Sequence, residues 1–168
     1  MTAATSRTER LRRTLTPVAV GIGAALLVAA VGATMTELGP WYRALRQPAW
    51  APPDWAFPVG WTTIYGFTVA AGVLAWRAAR GDERPGVLTL FALNAILNIL
   101  WSFLFFKLHR PDWALGEVII FWLSIVALIV VAARRSASAR LLLIPYVAWV
   151  GFAGALNAAV VTLNAPFG

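Results

Sequence analysis

The chain has no cysteine among its 168 residues, which excludes disulfides, thiolate metal sites and a cysteine nucleophile. Charge is scarce too: Asp, Glu, Lys and Arg make up 12% of the residues, about half the usual share of a globular protein. The one histidine, His109, has no Asp or Glu cluster at ligand spacing, so no metal site is expected. Haem could not be held by the usual His or Cys axial ligands within the apolar segments. No glycine-rich phosphate loop and no Ser/His/Asp set is present, so ordinary acid–base or nucleophilic catalysis has little to work with.

What is present is apolar side chain, 60% of the total. A water-soluble domain of this length could not hide so much of it in one core, whereas a bilayer solvates it. The net charge of +7 comes from short basic clusters between long apolar runs. There is no continuous basic face interleaved with aromatics, so lipid and not nucleic acid is the expected partner. The basic residues read as determinants of membrane topology.

Residues 1–14, with Arg7, Arg10, Arg12 and Arg13, read as a short irregular tail, and residues 15–168 as one membrane domain. Five apolar segments follow at about 15–35, 61–79, 86–108, 113–133 and 141–163, each of spanning length. The first is long for a signal peptide and is followed by further spans. It carries Gly21, Ala25, Ala29 and Ala33 at spacing four, a small-residue stripe suited to close helix contact. The expected fold is an all-α membrane protein, a five-helix bundle whose short turns force neighbouring helices antiparallel. Ten basic residues fall on the tail's side and four on the other, which places the N-terminus inside a bacterial cytoplasmic membrane.

Residues 36–60 carry five prolines and three tryptophans, and read as a long non-helical lid or binding element. Pro145 is expected to bend the fifth span at its start. Trp76 and Trp113 fit interfacial anchoring. Trp41, Trp50, Trp55 and Trp61, with Tyr42 and Phe57, exceed what anchoring requires and suit a flat apolar ligand. Asn94, Asn98 and Trp101 share one face of the third span, and Tyr146, Trp149, Ala153 and Asn157 one face of the fifth. Amides in hydrocarbon need partners, so both faces are expected to point into the bundle, as interhelical glue, as pocket wall, or as both. Glu117, the one carboxylate well inside an apolar segment, reads as a structural group wetted near the interface.

Trp41-Tyr42-x-x-Leu45-x-x-Pro48-x-Trp50-x-Pro52-Pro53-x-Trp55 followed by Trp61-Thr62-x-x-Tyr65 resembles the signature of the TspO/MBR family. That family holds the translocator proteins (peripheral-type benzodiazepine receptors) and the bacterial tryptophan-rich sensory proteins. Further matches are Leu97-Asn98-x-x-Trp101, Ala114-x-x-Glu117, and Leu142-x-x-Pro145-Tyr146-x-x-Trp149-x-x-Phe152-Ala153-x-x-Leu156-Asn157. Some positions depart from the pattern. Gly60 intervenes between Pro58-Val59 and Trp61, Lys107 stands where glycine is common, and Glu117 where aspartate is usual. No Tyr or basic residue follows Asn157, so the proposed cholesterol motif of animal members is absent.

The resemblance implies a homodimeric five-helix bundle that binds porphyrins of the protoporphyrin type, and in some members other apolar ligands, under the first loop. Carried over by position, the ligand residues are Tyr42, Pro52, Trp61 and Tyr65, then Asn94, Asn98 and Trp101, then Trp149, Ala153 and Asn157, with Phe57 added from the loop's aromatic cluster. No cofactor is required; porphyrin enters as ligand. A receptor or sensor regulating porphyrin metabolism or a stress response is the leading expectation. Light-dependent porphyrin breakdown, with Trp61 and Trp149 as candidate reactive residues, and transport of porphyrins or other amphiphiles are the alternatives.

Overall fold

The computed structural model describes residues 2–167, and the side-chain surroundings of Glu9, Leu11, Arg12 and residues 15–167. Among the described residues six α-helices follow one another: α1 Thr2–Met35, α2 Pro40–Ala44, α3 Ala56–Ala78, α4 Arg84–Ser102, α5 Pro111–Ala133 and α6 Ala137–Asn164. A π-helical turn, Phe103–Lys107, extends α4. Among the described residues five segments are long and apolar enough to cross a membrane: Leu15–Met35, Ala56–Ala78, Arg84–Lys107, Pro111–Ala133 and Ala137–Asn164.

Three boundaries differ from expectation, each for a reason the chain supplies. The basic stretch before Leu15 is not an irregular tail but continues α1, since no Gly or Pro precedes Pro17 to interrupt the helix. The 36–60 connection holds the short helix α2, and α3 begins at Ala56, not at Trp61. Pro58 is admitted there because the first-turn N–H groups of a helix have no intrahelical partner to lose. Pro145 lies well inside α6, not at its start, because the helix begins at Ala137. The Ser136 side chain caps that start, accepting from the Ala139 N–H at 3.2 Å.

The spans close into a ring. α1 packs on α3 and α4, α3 on α6, α6 on α5, and α5 on α4. Of the small-residue stripe, Gly21 meets α3: a Cβ there would stand 3.2 Å from Cγ1 of Val69. The inner faces bury Ile64, Val87, Phe121, Ile125, Leu128, Leu143 and Val150. The outer faces leave Leu26 and Leu27 of α1, Leu93 and Ile96 of α4, and Ile119, Ile120 and Leu123 of α5 exposed. In water such a surface would drive association; in hydrocarbon it is the solvated face. The protein is an integral membrane protein.

Candidate functional site: an aromatic cluster and an amide floor beneath the lid

Two polar links, one buried and one partly buried, cross the interior of the ring. The Asn94 amide donates to the Ser124 hydroxyl of α5 at 2.8 Å, and its carbonyl accepts from the Tyr146 hydroxyl of α6 at 2.9 Å. One turn nearer the lid, the Tyr65 hydroxyl of α3 donates to the Asn98 carbonyl at 3.1 Å. Asn94, Asn98, Ser124 and Tyr146 are all buried. Amides placed in hydrocarbon thus find partners on three other helices, and form a polar floor joining α3, α4, α5 and α6.

Aromatic rings stand at and above this level. Trp61 packs against Tyr65 at 5.7 Å between centroids and edge-on against Trp149 at 6.3 Å, while Phe57 meets Trp149 at 6.3 Å. Trp149 touches Phe152 at 5.9 Å, and the lid's Trp50 reaches the same Phe152 at 5.9 Å. Gly60 is the reason that Trp149 fits. A Cβ at that position would lie 2.5 Å from two atoms of the indole, so the ring occupies the space any side chain would need. The Trp149 Nε1–H is buried and has no acceptor among the described residues.

A second aromatic group joins the lid to the end of α4. Trp101 packs on Phe105 and Phe106, Tyr42 on Phe106, and Trp41 on Phe105. The Trp101 indole N–H donates to the Asn157 carbonyl at 3.2 Å, and the Asn157 amide donates to the Pro111 carbonyl at 2.8 Å. Burial, with the nearby Asp54 charge second, pushes the Tyr42 hydroxyl above its ordinary value of 10.0. Pro52 and Ala153 are half-buried.

The lid is fastened at its rim. The Asn164 side chain accepts from the Arg46 N–H at 2.8 Å and donates to the Arg46 carbonyl at 3.0 Å, so one amide holds both polar groups of that residue. Trp41 stacks on His109 at 4.1 Å and 15°. His109 reaches it from a left-handed backbone, φ 54°, just past the π-helical turn. Lys107 pairs with Glu37, and this holds the Glu37 carboxyl below its ordinary value of 4.5. Lys107, a departure from the family pattern, is therefore a tether of the loop. A cleft of about 730 Å³ opens beside this rim, lined by Trp41, Leu45, His109, Arg110, Trp113 and Asn164 among others. None of the ligand residues carried over from the family lines it.

Sequence reasoning selected Tyr65, Asn94, Asn98, Trp61, Trp101, Trp149 and Asn157, and the structure brings these into two groups. It did not foresee Ser124 as partner of Asn94, the Asn164 clamp, the π-helical turn or the Trp41–His109 stack. An amide predicted to need a partner could have pointed to Ser124; nothing in the sequence announces the others. Glu117 corrects an expectation outright. It is 8% exposed, not wetted, and neither carboxyl oxygen has a hydrogen-bond partner among the described residues. The interfacial reading of Trp76 and Trp113 agrees with Arg84 lying over Trp76 at 5.2 Å and Arg110 over Trp113 at 4.2 Å.

The fold and site define a class: a small polytopic helical membrane protein whose spans ring an amide floor and an aromatic cluster under a Pro/Trp lid. Residues 16–163 match the model of the TspO/MBR family, and the chain belongs to that family. It is 37% identical over 158 residues to the tryptophan-rich protein TspO of Chlorobaculum tepidum, covering 92% of this chain and 99% of that one. It is 36% identical to protein CrtK of Rhodobacter capsulatus, covering 89% and 94%. It is also 32% identical over 119 residues to the translocator protein of Homo sapiens, covering 70% of each.

Proposed function

We propose that the protein is a sensor-like membrane receptor that binds tetrapyrroles of the protoporphyrin type beneath the lid and regulates porphyrin metabolism or a stress response. The observation that carries this reading is the grouping of Phe57, Trp61, Tyr65 and Trp149 under the lid, with the Trp149 indole N–H left without an acceptor. Flat indole and phenol faces supply area for a macrocycle. An unmatched donor among them offers one orienting hydrogen bond, the usual make-up of a small-molecule site. The family resemblance supplies the ligand class, and the same resemblance supports a homodimer. The excess of basic residues on the tail's side supports a bacterial cytoplasmic membrane with the N-terminus inside.

The test is tryptophan emission of the detergent-purified protein titrated with protoporphyrin. Saturable quenching, weakened in Trp149→Phe and Trp61→Phe, is the expected result; no saturable quenching would end the proposal. Light-dependent breakdown of the ligand is a second reading, favoured by the edge-on contact of Trp61 and Trp149. Bound porphyrin bleaching equally fast in wild type and in the two Phe variants would remove it.

A further inference from the structure

Glu117 belongs to the inner face of α5. It lies seven residues before Ser124, two helical turns, so the two point the same way and Glu117 stands about 10 Å nearer the lid. Ser124 faces Asn94. Because α4 and α5 run antiparallel, seven residues beyond Asn94 brings Trp101 to the height of Glu117. On the α6 side, Val118 faces Gly154 and the Asn157 amide reaches the Pro111 carbonyl, which brackets Glu117 opposite the stretch from Gly154 to Asn157, within one turn of Ala153. The register thus sets this carboxyl at the height of Trp101 and Ala153, two of the ligand residues.

Among the described residues neither Glu117 carboxyl oxygen has a hydrogen-bond partner. Trp101 Nε1 is spent on Asn157, and the Asn157 amide on the Pro111 carbonyl. α4 has no Lys or Arg between Arg84 and Lys107, α5 has none before Arg134, and α6 has none after Arg140. Lys107 is paired with Glu37, and Arg110 with Asp112. Acceptor oxygens are buried at a cost unless a donor meets them, and a donor-free carboxyl turned into a ring interior is an incomplete site.

We propose that Glu117 is a ligand-binding residue whose carboxyl accepts a hydrogen bond from an exposed N–H of the bound molecule: an ammonium, a lactam or an open-chain pyrrole. A closed porphyrin keeps its N–H groups inside the macrocycle and does not engage it. Glu117 therefore sets specificity for donors at the ligand's edge. The inference rests on the lid-side interior being a ligand site, not on the ligand being a tetrapyrrole.

Two matched probe pairs test it on the full-length protein in detergent: 2-(1-naphthyl)ethylamine against 1-ethylnaphthalene, and biliverdin against protoporphyrin. Each is titrated into wild type, Glu117→Leu and Glu117→Gln. Wild type should favour the amine by about tenfold or more, the worth of a charge-assisted hydrogen bond, and Glu117→Leu should lose that preference. Biliverdin should weaken by a similar factor in Glu117→Leu while protoporphyrin changes by less than about twofold. A differential in either pair supports the assignment and names the donor's source. If Glu117→Leu does not fold, Glu117→Gln, whose amide oxygen still accepts but carries no charge, must reduce the amine preference. No differential in either pair, all probes weakening alike, or no probe binding at all overturns it. Failure of both tetrapyrroles alone removes the tetrapyrrole reading and leaves the amine pair to decide.

Discussion

Gly60→Ala should be destabilising or neutral in the wild-type background and stabilising once Trp149 is removed. An alanine Cβ would stand 2.5 Å from Cη2 and Cζ2 of the indole. Carbon atoms in contact prefer about 3.5–4.0 Å, so the ring must retreat by about 1 Å. Phe57, Trp61 and Phe152 flank it and leave it little room. Overpacking of this kind costs about 1–3 kcal/mol. Against it stands the gain of replacing a helical glycine by alanine, up to about 1 kcal/mol. The net for the single variant is a loss of about 0–3 kcal/mol. In Trp149→Ala the clash is gone and only the gain remains, so the same substitution should stabilise by up to about 1 kcal/mol. Equilibrium unfolding of the four proteins of this cycle in one detergent measures both terms. An equal stabilising effect of Gly60→Ala in both backgrounds would refute the seating of Trp149 on Gly60.

Asn94→Ala should cost more than Tyr146→Phe. The first leaves the Tyr146 hydroxyl and the Ser124 oxygen without their partner, about 2–4 kcal/mol, whereas the second removes one donor, about 1 kcal/mol. Unfolding in detergent ranks them, and the reverse order would show that the triad is not the joint it looks to be. Asn164→Ala should release the lid: hydrogen exchange at the Arg46 amide should speed up about tenfold, with the rate at Asn98 unchanged. The Glu37–Lys107 tether should be pH-dependent with a definite sign. The Lys107 hydrogen bond and charge depress the Glu37 carboxyl in the folded state, so its contribution is full above about pH 4.5 and fades as pH falls through the lowered value. Lid opening, followed by Trp41 emission, should show that acid step in wild type and lose it in Glu37→Gln.

The spans were legible because hydrocarbon imposes a simple rule of length and composition, and all five appear within a few residues of where the sequence puts them. The inner faces were legible for a related reason. Asn94, Asn98 and Asn157 are expensive against lipid, and helical spacing then fixes what lies beside them. Helix ends were harder. Nothing in Phe103–Lys107 distinguishes a π-helical turn from one more α-turn, since the choice is made by how Phe105, Phe106 and Lys107 meet the lid. Pro58 misled for the opposite reason: proline forbids a helix interior yet suits a first turn, and only the position of Ala56 tells which applies.

The lid's fastenings show a limit of another kind. Arg46 and Asn164 are 118 residues apart, and their pairing depends on ring order bringing the end of α6 to the loop after α1. A bundle in simple sequential order would not set α6 against α3; this ring does so, closing through α3–α6 and through α1–α4. That order lets lid, floor and aromatic cluster share helices. Tyr42 rests on Phe106, Phe106 on Trp101, and Trp101 holds Asn157, so a lid movement at Tyr42 has a packed route to the amide that closes α6 onto the start of α5. Trp149 is fastened separately, through Gly60 and Phe57 at the beginning of α3.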